Sequence, residues 1–479
     1  MRTFIEPERN QLLLLTNVNL ETVAPVGSAV RTIDELVDRL DTSAIEATYD
    51  FETVQGQNPI HPKTLIKVAL FAHHNCRFSL RKMESDTALN LAYRWLTGDR
   101  KIDHSTIGKF LSRYRKAIVE LASQTVLICV EHGLVDFEVL SIDSIKVRAN
   151  ASHKQHKTLA GIEKERKNIE EKLDSLLDKA STSSEIDSEK ATLENRKQRL
   201  ESAAGMLERR IQEKGKEKSE KQQEDLKQKE KINITDPDSS IMKQRNGEKN
   251  PSYSITTTTD TKSDIITNIQ VNEKDNDAYA LLPAIEGSEE TSGEEHKVVL
   301  ADPAFSSIEN LEKLEEQDID ALIPDRRMEV EERNDLSRGD YDRSKFNWQP
   351  ETNTYVCPAG NQLGKIGEAT MNGRIYGKYI NTDACAGCAC RADCTKMRVR
   401  IIYRDQNEEV KERMRKKFED EENKELYKKR AHTSEAPYGH IKHNLKFKIL
   451  MRRGITKVRM EMSLLGILHN GLKLSRISP

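Results

Sequence analysis

The chain has 479 residues, of which 33 % are charged and 5 % are aromatic, with a formal net charge of −2 and a mean hydropathy of −0.72. This length exceeds what one simple core can hold, so we expect two to four structural units. The N-terminal MRTFIEPERN contains no apolar segment, and no uncharged stretch is long enough to span a bilayer. These features exclude a membrane-spanning protein and predict a cytoplasmic one.

The small net charge conceals two strongly basic regions. Between residues 61 and 116 there are twelve Lys and Arg against four Asp and Glu. The 44 residues that follow Glu435 carry nine Lys and Arg and a single acid, Glu461. Acidic residues gather in the middle of the chain instead. Two basic regions of this kind predict a polyanionic partner, because attraction depends on local rather than total charge.

Residues 1–133 are predicted to form an all-α domain. Pro62 opens an apolar helix, and further helices are expected over 80–95 and 106–130, the last with Asp103 as its N-cap. Short helices with a basic surface are compatible with DNA binding through a helix-turn-helix. A packing platform without DNA contact is the alternative. Trp95 is expected in the core of this domain rather than on a base-stacking surface.

Residues 134–153 contain an apolar strand over 137–143 that ends in Asp143. The highly charged segment 154–232 follows, and apolar residues recur in it at heptad spacing on both sides of the polar residues 181–184. This pattern predicts a coiled-coil hairpin, either a dimerisation arm or a solvated spacer. The heptad positions are Ile162, Ile169, Leu173, Leu176, Leu193, Leu200, Ala204, Leu207 and Ile211.

Regular structure resumes in residues 233–324. Two alternating stretches, 254–260 and 265–271, predict a β-hairpin. The next expected elements are a helix over 278–285, a strand over 297–302 that ends at Asp302, a helix over 308–317 and a strand over 319–323. A cysteine-rich insertion occupies 325–400. In the last segment, 401–479, a charged helix over 407–429 leads to Glu435.

Without the two insertions, the order of these elements is that of the ribonuclease-H-like fold. The predicted fold class is therefore α/β, a mixed sheet of that type with an N-terminal all-α domain, a coiled-coil insertion and a small cysteine-rich insertion. Such a sheet would bring Asp143 and Asp302 side by side. Taken singly, either aspartate is typical of a turn or a helix cap. With Glu435 they would form a set of hard oxygen ligands suited to Mg²⁺ or Mn²⁺.

Five of the seven cysteines fall between Cys357 and Cys394. Clustered thiols in a cytosolic protein are typical of metal binding rather than of disulfides. The CxxC turn from Cys385 to Cys388, joined by a distant pair of thiolates, can close a tetrahedral structural zinc site. The favoured set is Cys357, Cys385, Cys388 and Cys394, with Cys390 as the competitor. Reduced thiols without metal and an iron–sulfur cluster are the alternatives.

Several segments resemble bacterial insertion-sequence transposases of the DDE type. They are HPKTLIKVALFAH, YRWLTGDRKIDHSTIGKF, LSIDSIKVRANAS, VVLADPAFSSIENLEKL, YKKRAHTSEAPYGHIK and RRGITKVRMEMSLLGILHN. The resemblance covers most of the chain and is weakest in the charged hairpin. It implies that Asp143, Asp302 and Glu435 form a catalytic triad that binds metal.

The tail signature of that family has counterparts in Tyr427, Arg430, Glu435 and Lys442. Its basic members would hold the DNA end near the scissile phosphate. The family pattern has three residues between Arg and Glu, whereas this chain has four, which turns Arg430 by about 100° relative to Glu435 on a helix. Lys442 is therefore the stronger candidate of the two basic residues. Glu435, Gly439 and Lys442 keep i, i+4, i+7 spacing, so we expect them on one helix face.

The resemblance implies a DNA transposase that binds the terminal inverted repeats of an insertion sequence, cleaves the ends and transfers them to target DNA with Mg²⁺ or Mn²⁺. Lys146 and Arg148, shortly after Asp143, are further candidates for DNA contact. The implied partners are double-stranded DNA and a second copy in a synaptic complex, in the cytoplasm at the nucleoid. The rival hypotheses are an inactive transposase-derived DNA-binding protein, which would bind ends without cutting, and a nuclease that cuts without joining strands.

Overall fold

The structure is a computed structural model that describes residues 3–13, 18–51, 58–177, 184–216, 219–244, 246–272, 277–325, 328, 339–371 and 373–476. It is an α/β protein with a helical N-terminal region, and it divides into two compact units. The first comprises Met1–Gly215, Glu220–Leu300 and Lys428–Pro479, and the second comprises Lys216–Ser219 and Ala301–Tyr427. No helix within the described ranges is long and apolar enough to cross a membrane.

The N-terminal region is helical, as predicted. A short pair of strands, β1 (Leu12–Leu13) and β2 (Val18–Asn19), precedes a 3₁₀ turn at Leu20–Val23. The helices are α1 (Ala29–Arg39), α2 (Ser43–Glu46), α3 (Pro62–His74), α4 (Leu80–Leu89), α5 (Leu91–Thr97), α6 (His104–Arg113) and α7 (Arg115–Glu131). Asp103 caps α6 by accepting hydrogen bonds from the main-chain N–H groups of residues 105 and 106, both at 2.9 Å.

Two of the predicted helices are each divided in two. Asn90 has an extended conformation, with φ −99° and ψ 123°, and its side chain accepts a hydrogen bond from the Ala92 N–H at 2.9 Å. This cap ends α4 and starts α5, because the residue leaves the helical region of backbone space. Tyr114 separates α6 from α7 in the same part of the chain. The periodic pattern continues across both breaks and does not reveal them.

Part of the basic charge predicted for the surface of this region lies inside it. Lys67 is only 5 % exposed, and its Nζ lies 2.8 Å from Asp34 and 2.6 Å from Asp38. Trp95 is fully buried, as predicted, and its indole N–H donates to Glu21 at 3.1 Å. The net positive charge of the sequence segment therefore overstates the positive charge of its surface.

The sheet of the first unit is built around one long strand. Its strands are β3 (Val139–Arg148), β6 (Ser240–Lys243), β7 (Lys249–Asp260), β8 (Ile265–Asn272) and β9 (Val298–Ala301). β3 lies between β9 and β7, while β6 and β8 also pair with β7. The predicted β7–β8 hairpin is confirmed and is antiparallel. β3 and β7 are antiparallel too, with Asp143 opposite Thr257.

Helices pack against this sheet, and residues of α7 and of the C-terminal helix share one hydrophobic core with the N-terminal region. The helices include α7, α11 (Leu281–Ser292), which follows a 3₁₀ turn at Asp277–Ala280, and the C-terminal α17 (Ile455–Leu474). The side chain of Asn470 fixes α17 to β8, because it accepts from the Ile266 N–H at 3.0 Å and donates to the Ile266 carbonyl at 2.9 Å. The helix that was predicted over 278–285 is α11, and it extends to Ser292.

The charged segment forms three helices, α8 (Leu159–Leu177), α9 (Ser184–Gly215) and α10 (Glu220–Lys229), beside the short paired strands β4 (His156–Lys157) and β5 (Ile232–Asn233). α8 and α9 bury apolar side chains against each other, and an Arg196–Glu165 ion pair at 2.8 Å joins them. The buried heptad positions are Ile162, Ile169, Leu200, Leu207 and Ile211. Of the predicted linker 181–184, residues 181–183 lie outside the described residues. A coiled-coil supercoil stays a prediction.

The second unit holds a five-stranded antiparallel sheet that the sequence did not predict. Its strands, in spatial order, are β11 (Asn347–Gln349), β12 (Thr354–Val356), β13 (Gln362–Met371), β14 (Arg374–Ile380) and β15 (Ile402–Asp405). A small aromatic core lies on it, including Phe346, Tyr355 and Tyr379. The other elements are 3₁₀ turns at Pro303–Phe305 and Arg343–Lys345, α12 (Ile308–Glu316), β10 (Ala321–Leu322), α13 (Thr382–Ala386), α14 (Arg391–Cys394) and α15 (Glu409–Lys417).

The helix predicted over 407–429 is also interrupted. α15 ends at Lys417, and α16 (Glu421–Gly439) starts after three intervening residues and continues into the first unit. The Asp420 side chain accepts a hydrogen bond from the Glu422 N–H at 3.0 Å, and buried Phe418 packs edge-on against Tyr427 with ring centroids 5.3 Å apart. The break is thus fixed by a cap and by an aromatic contact between the two helices.

Candidate active site

Asp143 lies in the middle of β3 and not at its end, which corrects the prediction. The strand continues to Arg148 because Ile145 and Val147 are buried and the pairing with β7 is unbroken from Leu140 to Arg148. The polar residues after Asp143 were mistaken for the end of the strand. These polar residues instead lie on the more exposed face of β3, since successive side chains of a strand point to opposite faces.

Tyr438, in the last turn of α16, joins that helix to the strand carrying Asp143. Its hydroxyl donates to the main-chain carbonyl of Asp143 at 2.9 Å, with the carbonyl of Ile255 3.2 Å away. The same hydroxyl accepts a hydrogen bond from Thr257 at 2.9 Å. Tyr438 is only 5 % exposed, so these bonds are shielded from water. They fix the end of α16 across the β3–β7 pair.

Arg430 approaches Asp143 from the same helix. One terminal nitrogen of its guanidinium lies 3.4 Å from Oδ1 of Asp143, and the two side chains are only 14 % and 19 % exposed. The sequence argument compared the direction of Arg430 only with that of Glu435, which lies on the same helix. It did not consider Asp143, which lies on a strand. Arg430 instead lies next to another member of the predicted triad.

Glu435 lies on α16 between Arg430 and Tyr438, and it is exposed. Two residues later comes Pro437, which has no N–H to donate to the carbonyl one turn before it. The α-helix ends at Gly439 and continues as a π-helix over His440–Asn444, in which the Leu445 N–H bonds to the His440 carbonyl at 2.9 Å.

The π-helix corrects the predicted relation between Glu435 and Lys442. The i, i+4, i+7 argument assumed one α-helix through residue 442, whereas a π-helix is wider and turns less per residue. Lys442 is half-buried in the π-helix. The angle around the helix axis between Glu435 and Lys442 therefore differs from the angle in a continuous α-helix.

Asp302 directly follows β9, as predicted, and belongs to the second unit. Its side chain accepts a hydrogen bond from the Ala304 N–H and caps the short 3₁₀ helix Pro303–Phe305. Ser307 caps the next helix, α12, by accepting from the Asn310 N–H at 3.1 Å. Tyr427, also of this unit, donates its hydroxyl to the Ala301 carbonyl at 3.3 Å. Asp302 therefore acts as a helix cap, in addition to the catalytic role that was predicted for it.

Lys146 and Arg148 are both exposed on β3. Their positions are an odd number of residues from Asp143 in an unbroken strand, so their side chains project from the opposite face. They therefore do not adjoin the Asp143 carboxylate, and their contact with DNA stays a prediction.

The metal-binding predictions rest on ligand type rather than on a formed site. Among the residues that the structure describes, no group of three or more His, Cys, Asp and Glu side chains is arranged to hold a metal ion. The carboxylates of Asp143 and Glu435 nevertheless belong to elements that contact each other through Tyr438 and Arg430. Carboxylate oxygens are the ligands that Mg²⁺ and Mn²⁺ prefer.

The four favoured cysteines do come together. Cys357, Cys385, Cys388 and Cys394 line one cavity of about 30 Å³ in the second unit. Burial raises the pKa of the Cys394 thiol, and the neighbouring thiols of the other three raise it further, although Arg400 opposes this.

Cys390 is directed elsewhere. A hydrogen bond with Cys390, together with burial, raises the pKa of Tyr341 to about 12. Cys390 is absent from the cavity lining, although Tyr341 is part of it. The choice between Cys390 and the predicted set of four stays a prediction.

Sequence reasoning missed the role of Tyr438. Its partners are main-chain carbonyls and a threonine of strands that lie far away in the sequence. The only local signal is its position between Pro437 and Gly439, where a large buried phenol interrupts an otherwise charged helix.

Two family models match parts of the chain. The model described as "Transposase DDE domain" matches residues 356–475, which include the cysteine cluster and Glu435. The model described as "Transposase domain (DUF772)" matches residues 18–113, in the helical N-terminal region. No curated protein and no solved structure matches the chain. Both matching models describe transposase domains, one at each end of the chain, and together they indicate a DDE-type insertion-sequence transposase.

Proposed function

We propose that this transposase binds the terminal inverted repeats of its insertion sequence, cleaves the element's ends and transfers them to target DNA. The reaction would be metal-dependent phosphoryl transfer at Asp143, Asp302 and Glu435. The N-terminal helices and the basic C-terminal region would bind the DNA.

The observation that carries this proposal is the attachment of α16 to β3. Arg430 and Tyr438, which flank Glu435 on the helix, both contact Asp143, the first through its carboxylate and the second through its main chain. Two acidic residues that are far apart in the sequence are thereby held on elements in direct contact.

Each group has a distinct part in the proposed reaction. Asp143, Asp302 and Glu435 would hold Mg²⁺ or Mn²⁺, which when bound activates the attacking oxygen and stabilises the leaving oxygen. Arg430 offsets the negative charge of Asp143 while the ligands are assembled. Tyr438 keeps the main chain of Asp143 in place, since precise positioning of ligands is what such catalysis requires.

A cleavage assay on labelled DNA that carries the element's own ends tests the proposal. The wild-type protein should nick at the end junction with Mg²⁺ and not with EDTA. Asp143→Asn, Asp302→Ala and Glu435→Gln should each abolish nicking while the protein still binds the ends. Glu425→Gln, on the same helix, is the matched control and should cut normally.

The assay also separates the rival functions. Specific binding of the ends without nicking under any divalent cation would overturn the enzyme proposal and favour a DNA-binding relic. Nicking without joining of a precut end to target DNA would favour a nuclease. Joining that depends on Asp302 would favour the full transposase reaction.

Synapsis of two element ends implies at least two copies of the chain on DNA. The α8–α9 hairpin is the proposed contact between them, because it is a long pair of helices with a small apolar core of its own. Sedimentation with and without paired ends would measure this. A variant lacking residues 160–229 that still assembles on paired ends would contradict it.

We further propose that Cys357, Cys385, Cys388 and Cys394 bind a structural zinc ion. Four thiols on one cavity match the donor set of closed structural zinc sites. The side chains would have to turn toward one another, since they are not arranged as ligands in this structure. A zinc ion would then tie β12, α13 and α14 of a small unit whose aromatic core is limited.

Metal content of the purified full-length protein tests this second site. We expect about one zinc per chain in the wild type and in Cys390→Ser, and much less in Cys388→Ser and Cys357→Ser. Replacement by Co²⁺ should give the visible absorption of tetrahedral thiolate ligation. Metal-free wild-type protein, or equal zinc loss in Cys390→Ser, would contradict the proposal, and broad iron-dependent absorption would indicate an iron–sulfur cluster instead.

A further inference from the structure

His440, the first residue of the π-helix, is bonded to the C-terminal helix. Its Nδ1 lies 3.2 Å from Nδ1 of His469 in α17, and the two ring centroids are 5.2 Å apart. His469 is only 2 % exposed, and His440 is half-buried. Both residues belong to the first unit, as does Glu435 in the last turns of α16. The π-helix therefore has a side-chain attachment of its own, separate from that of Tyr438.

The partners of His469 determine which of its nitrogens carries the proton. Its Nε2 lies 2.9 Å from the main-chain carbonyl oxygen of Asp264, which can only accept a hydrogen bond. Nε2 therefore donates, and Nδ1 of the neutral ring keeps a lone pair. Since Nδ1 of His440 is the atom that faces this lone pair, His440 carries its own proton on Nδ1 and donates it. The bond between the two rings thus has one defined direction.

The surroundings of the two rings keep both of them neutral. Burial lowers the pKa of His469 to about 3, although the bond to Asp264 opposes this. Burial also lowers the pKa of His440, and the nearby Arg476, His74 and Lys473 lower it further. A neutral ring can accept at one nitrogen while it donates at the other. Neutrality is therefore what lets His469 bond to Asp264 and to the π-helix at once.

The part of α17 that carries His469 is held against the β7–β8 hairpin. Lys473, one turn after His469, pairs with the carboxylate of Asp264 at 2.9 Å. Asn470 bonds to both a main-chain N–H and a main-chain carbonyl of β8. His469 therefore offers His440 an acceptor whose position is fixed by the sheet.

Close packing does not fix the end of α16 on the side that faces α17. A cavity of about 250 Å³ lies there, and its lining includes Ala436, Gly439, His440 and His469. A Cβ added at Gly439 would meet no atom of the described residues within 4 Å. A helix end beside such a cavity has few van der Waals contacts that oppose its movement. The bond between the two histidines therefore opposes a movement that packing on this side opposes only weakly.

We propose that His440 and His469 are positioning residues for Glu435. The inference rests on the proposed function and adds to it two residues outside the triad. Tyr438 attaches the end of α16 to β3, and the histidine pair attaches the same end to α17. Two attachments hold the Glu435 carboxylate in one position relative to Asp143. Metal ligands need such support, and losing a supporting group typically costs about ten- to a hundredfold in metal affinity or activity.

Metal binding by the full-length protein tests this inference. Mn²⁺ would be titrated into the protein bound to a precut element end, and free Mn²⁺ would be measured by electron paramagnetic resonance. His440→Ala should weaken the Mn²⁺ binding that is lost in Glu435→Gln by about tenfold, and the Mg²⁺ concentration for half-maximal nicking should rise by the same factor. His469→Gln should have the same effect, because glutamine can donate to the Asp264 carbonyl but leaves no acceptor at the Nδ1 position. It also provides the test if His440→Ala does not fold.

Two further variants separate the bond between the histidines from other effects at these positions. The amide nitrogen of asparagine is as many bonds from the main chain as Nδ1 of histidine, so His440→Asn keeps a donor and should bind Mn²⁺ within about threefold of the wild type. The double variant His440→Ala/His469→Gln should bind Mn²⁺ no more weakly than either single variant, because the loss of one partner already breaks the bond.

His73→Ala is the control for a general loss of stability. His73 is buried in α3, and its Nδ1 lies 2.7 Å from the carbonyl oxygen of Ala69 in the same helix. This variant should unfold at a lower urea concentration and bind Mn²⁺ as the wild type does. Equal losses of Mn²⁺ binding in His73→Ala and His440→Ala would overturn the inference.

The remaining outcomes distinguish this inference from the proposed function. Unchanged Mn²⁺ binding in His440→Ala and His469→Gln, or equal losses in His440→Ala and His440→Asn, would overturn the inference. Nicking by the wild type that disappears in Glu435→Gln would still support the proposed function in those cases. Mn²⁺ binding that depends on Glu435 and on both histidines, in a wild type that does not nick, would support the inference and overturn the proposed cleavage.

Discussion

The hydroxyl of Tyr438 lies 2.9 Å from the main-chain carbonyl oxygen of Asp143, in the centre of the β3–β7 pair. Strand carbonyls usually bond to neighbouring strands, so a side chain from a helix that takes one as its acceptor connects two layers of the fold. Here it connects the strand of one predicted catalytic residue with the helix of another. The proposed catalytic geometry and the folding stability should therefore depend on the same phenol.

Tyr438→Phe should lower stability and cleavage together. The substitution keeps the ring but leaves the Thr257 hydroxyl and the Asp143 carbonyl without this partner, at a cost of about 1–2 kcal/mol in unfolding free energy. Urea unfolding measures the first effect and the end-cleavage assay the second. Tyr376→Phe, at a half-buried position of β14, is the control and should change neither. Normal cleavage by Tyr438→Phe would contradict a positioning role.

Arg430→Ala should slow cleavage more than it weakens DNA binding. The lost contact with Asp143 is a hydrogen bond between charged groups, worth about 1.5–3 kcal/mol, which corresponds to about a ten- to hundredfold change in rate if it is needed in the transition state. Single-turnover cleavage and end binding would be measured separately. Arg413→Ala, which removes an exposed ion pair with Glu315, should leave the rate unchanged. A purely structural Arg430 would show lower stability with normal cleavage of bound DNA.

Glu461 predicts a specific dependence of stability on pH. Burial raises the pKa of its carboxyl from 4.5 to about 7, although the N–H groups of Arg452 and Met451 and the charge of Arg452 oppose the rise. Between these values the folded protein keeps a proton that the unfolded chain has released. The stability contributed by this proton is complete below pH 4.5 and is lost as the pH rises through 7.

Glu461→Gln should therefore flatten the change in unfolding free energy between pH 5 and pH 8, because the amide does not titrate. Urea unfolding at the two pH values measures this. The exposed Glu316→Gln provides the comparison and should keep the wild-type dependence. An unchanged pH dependence in Glu461→Gln would show that other groups cause it.

Two helical glycines should respond to alanine in opposite ways. Gly205, within α9, has open space where a Cβ would lie, so Gly205→Ala should stabilise the hairpin by about 0.5–1 kcal/mol. At Gly471, in α17, a Cβ would overlap with Cδ2 of the buried Leu36, and overpacking of this kind costs about 1–3 kcal/mol. Thermal unfolding of both variants would compare them. Stabilisation by Gly471→Ala would mean that Leu36 can move aside.

Elements with a clear period were predictable from the sequence. The β7–β8 hairpin and the start of α3 at Pro62 follow from alternation and from helix-start chemistry. The breaks at Asn90 and Tyr114 were not predictable, because each is a single residue inside a continuing helical pattern. The five-stranded sheet of the second unit was missed because its strands are short or largely exposed, so few buried positions mark them.

The sequence indicated candidate residues for the site but not their geometry. Residue type and spacing indicated Asp143, Asp302 and Glu435, yet Asp143 lies within a strand because burial of Ile145 and Val147 continues it. The π-helix follows Pro437, which has no N–H group and so interrupts the regular hydrogen bonds of the α-helix. The i, i+4, i+7 argument assumed that these bonds continue without a break. The partners of Arg430 and Tyr438 come from distant strands, and spacing along one segment carries no information about them.

β7 has ten consecutive buried residues at its C-terminal end, and four of them are threonines. From residue 254 onward it is paired on both edges, with β3 and with β8. Its threonine hydroxyls are bonded in turn to Ser144, Tyr438 and Thr267. Amide hydrogens in this strand can therefore reach solvent only when the whole first unit opens, whereas those of the α8–α9 hairpin need only a local opening. In hydrogen exchange, the strand facing Asp143 should be the last part of the protein to become labelled.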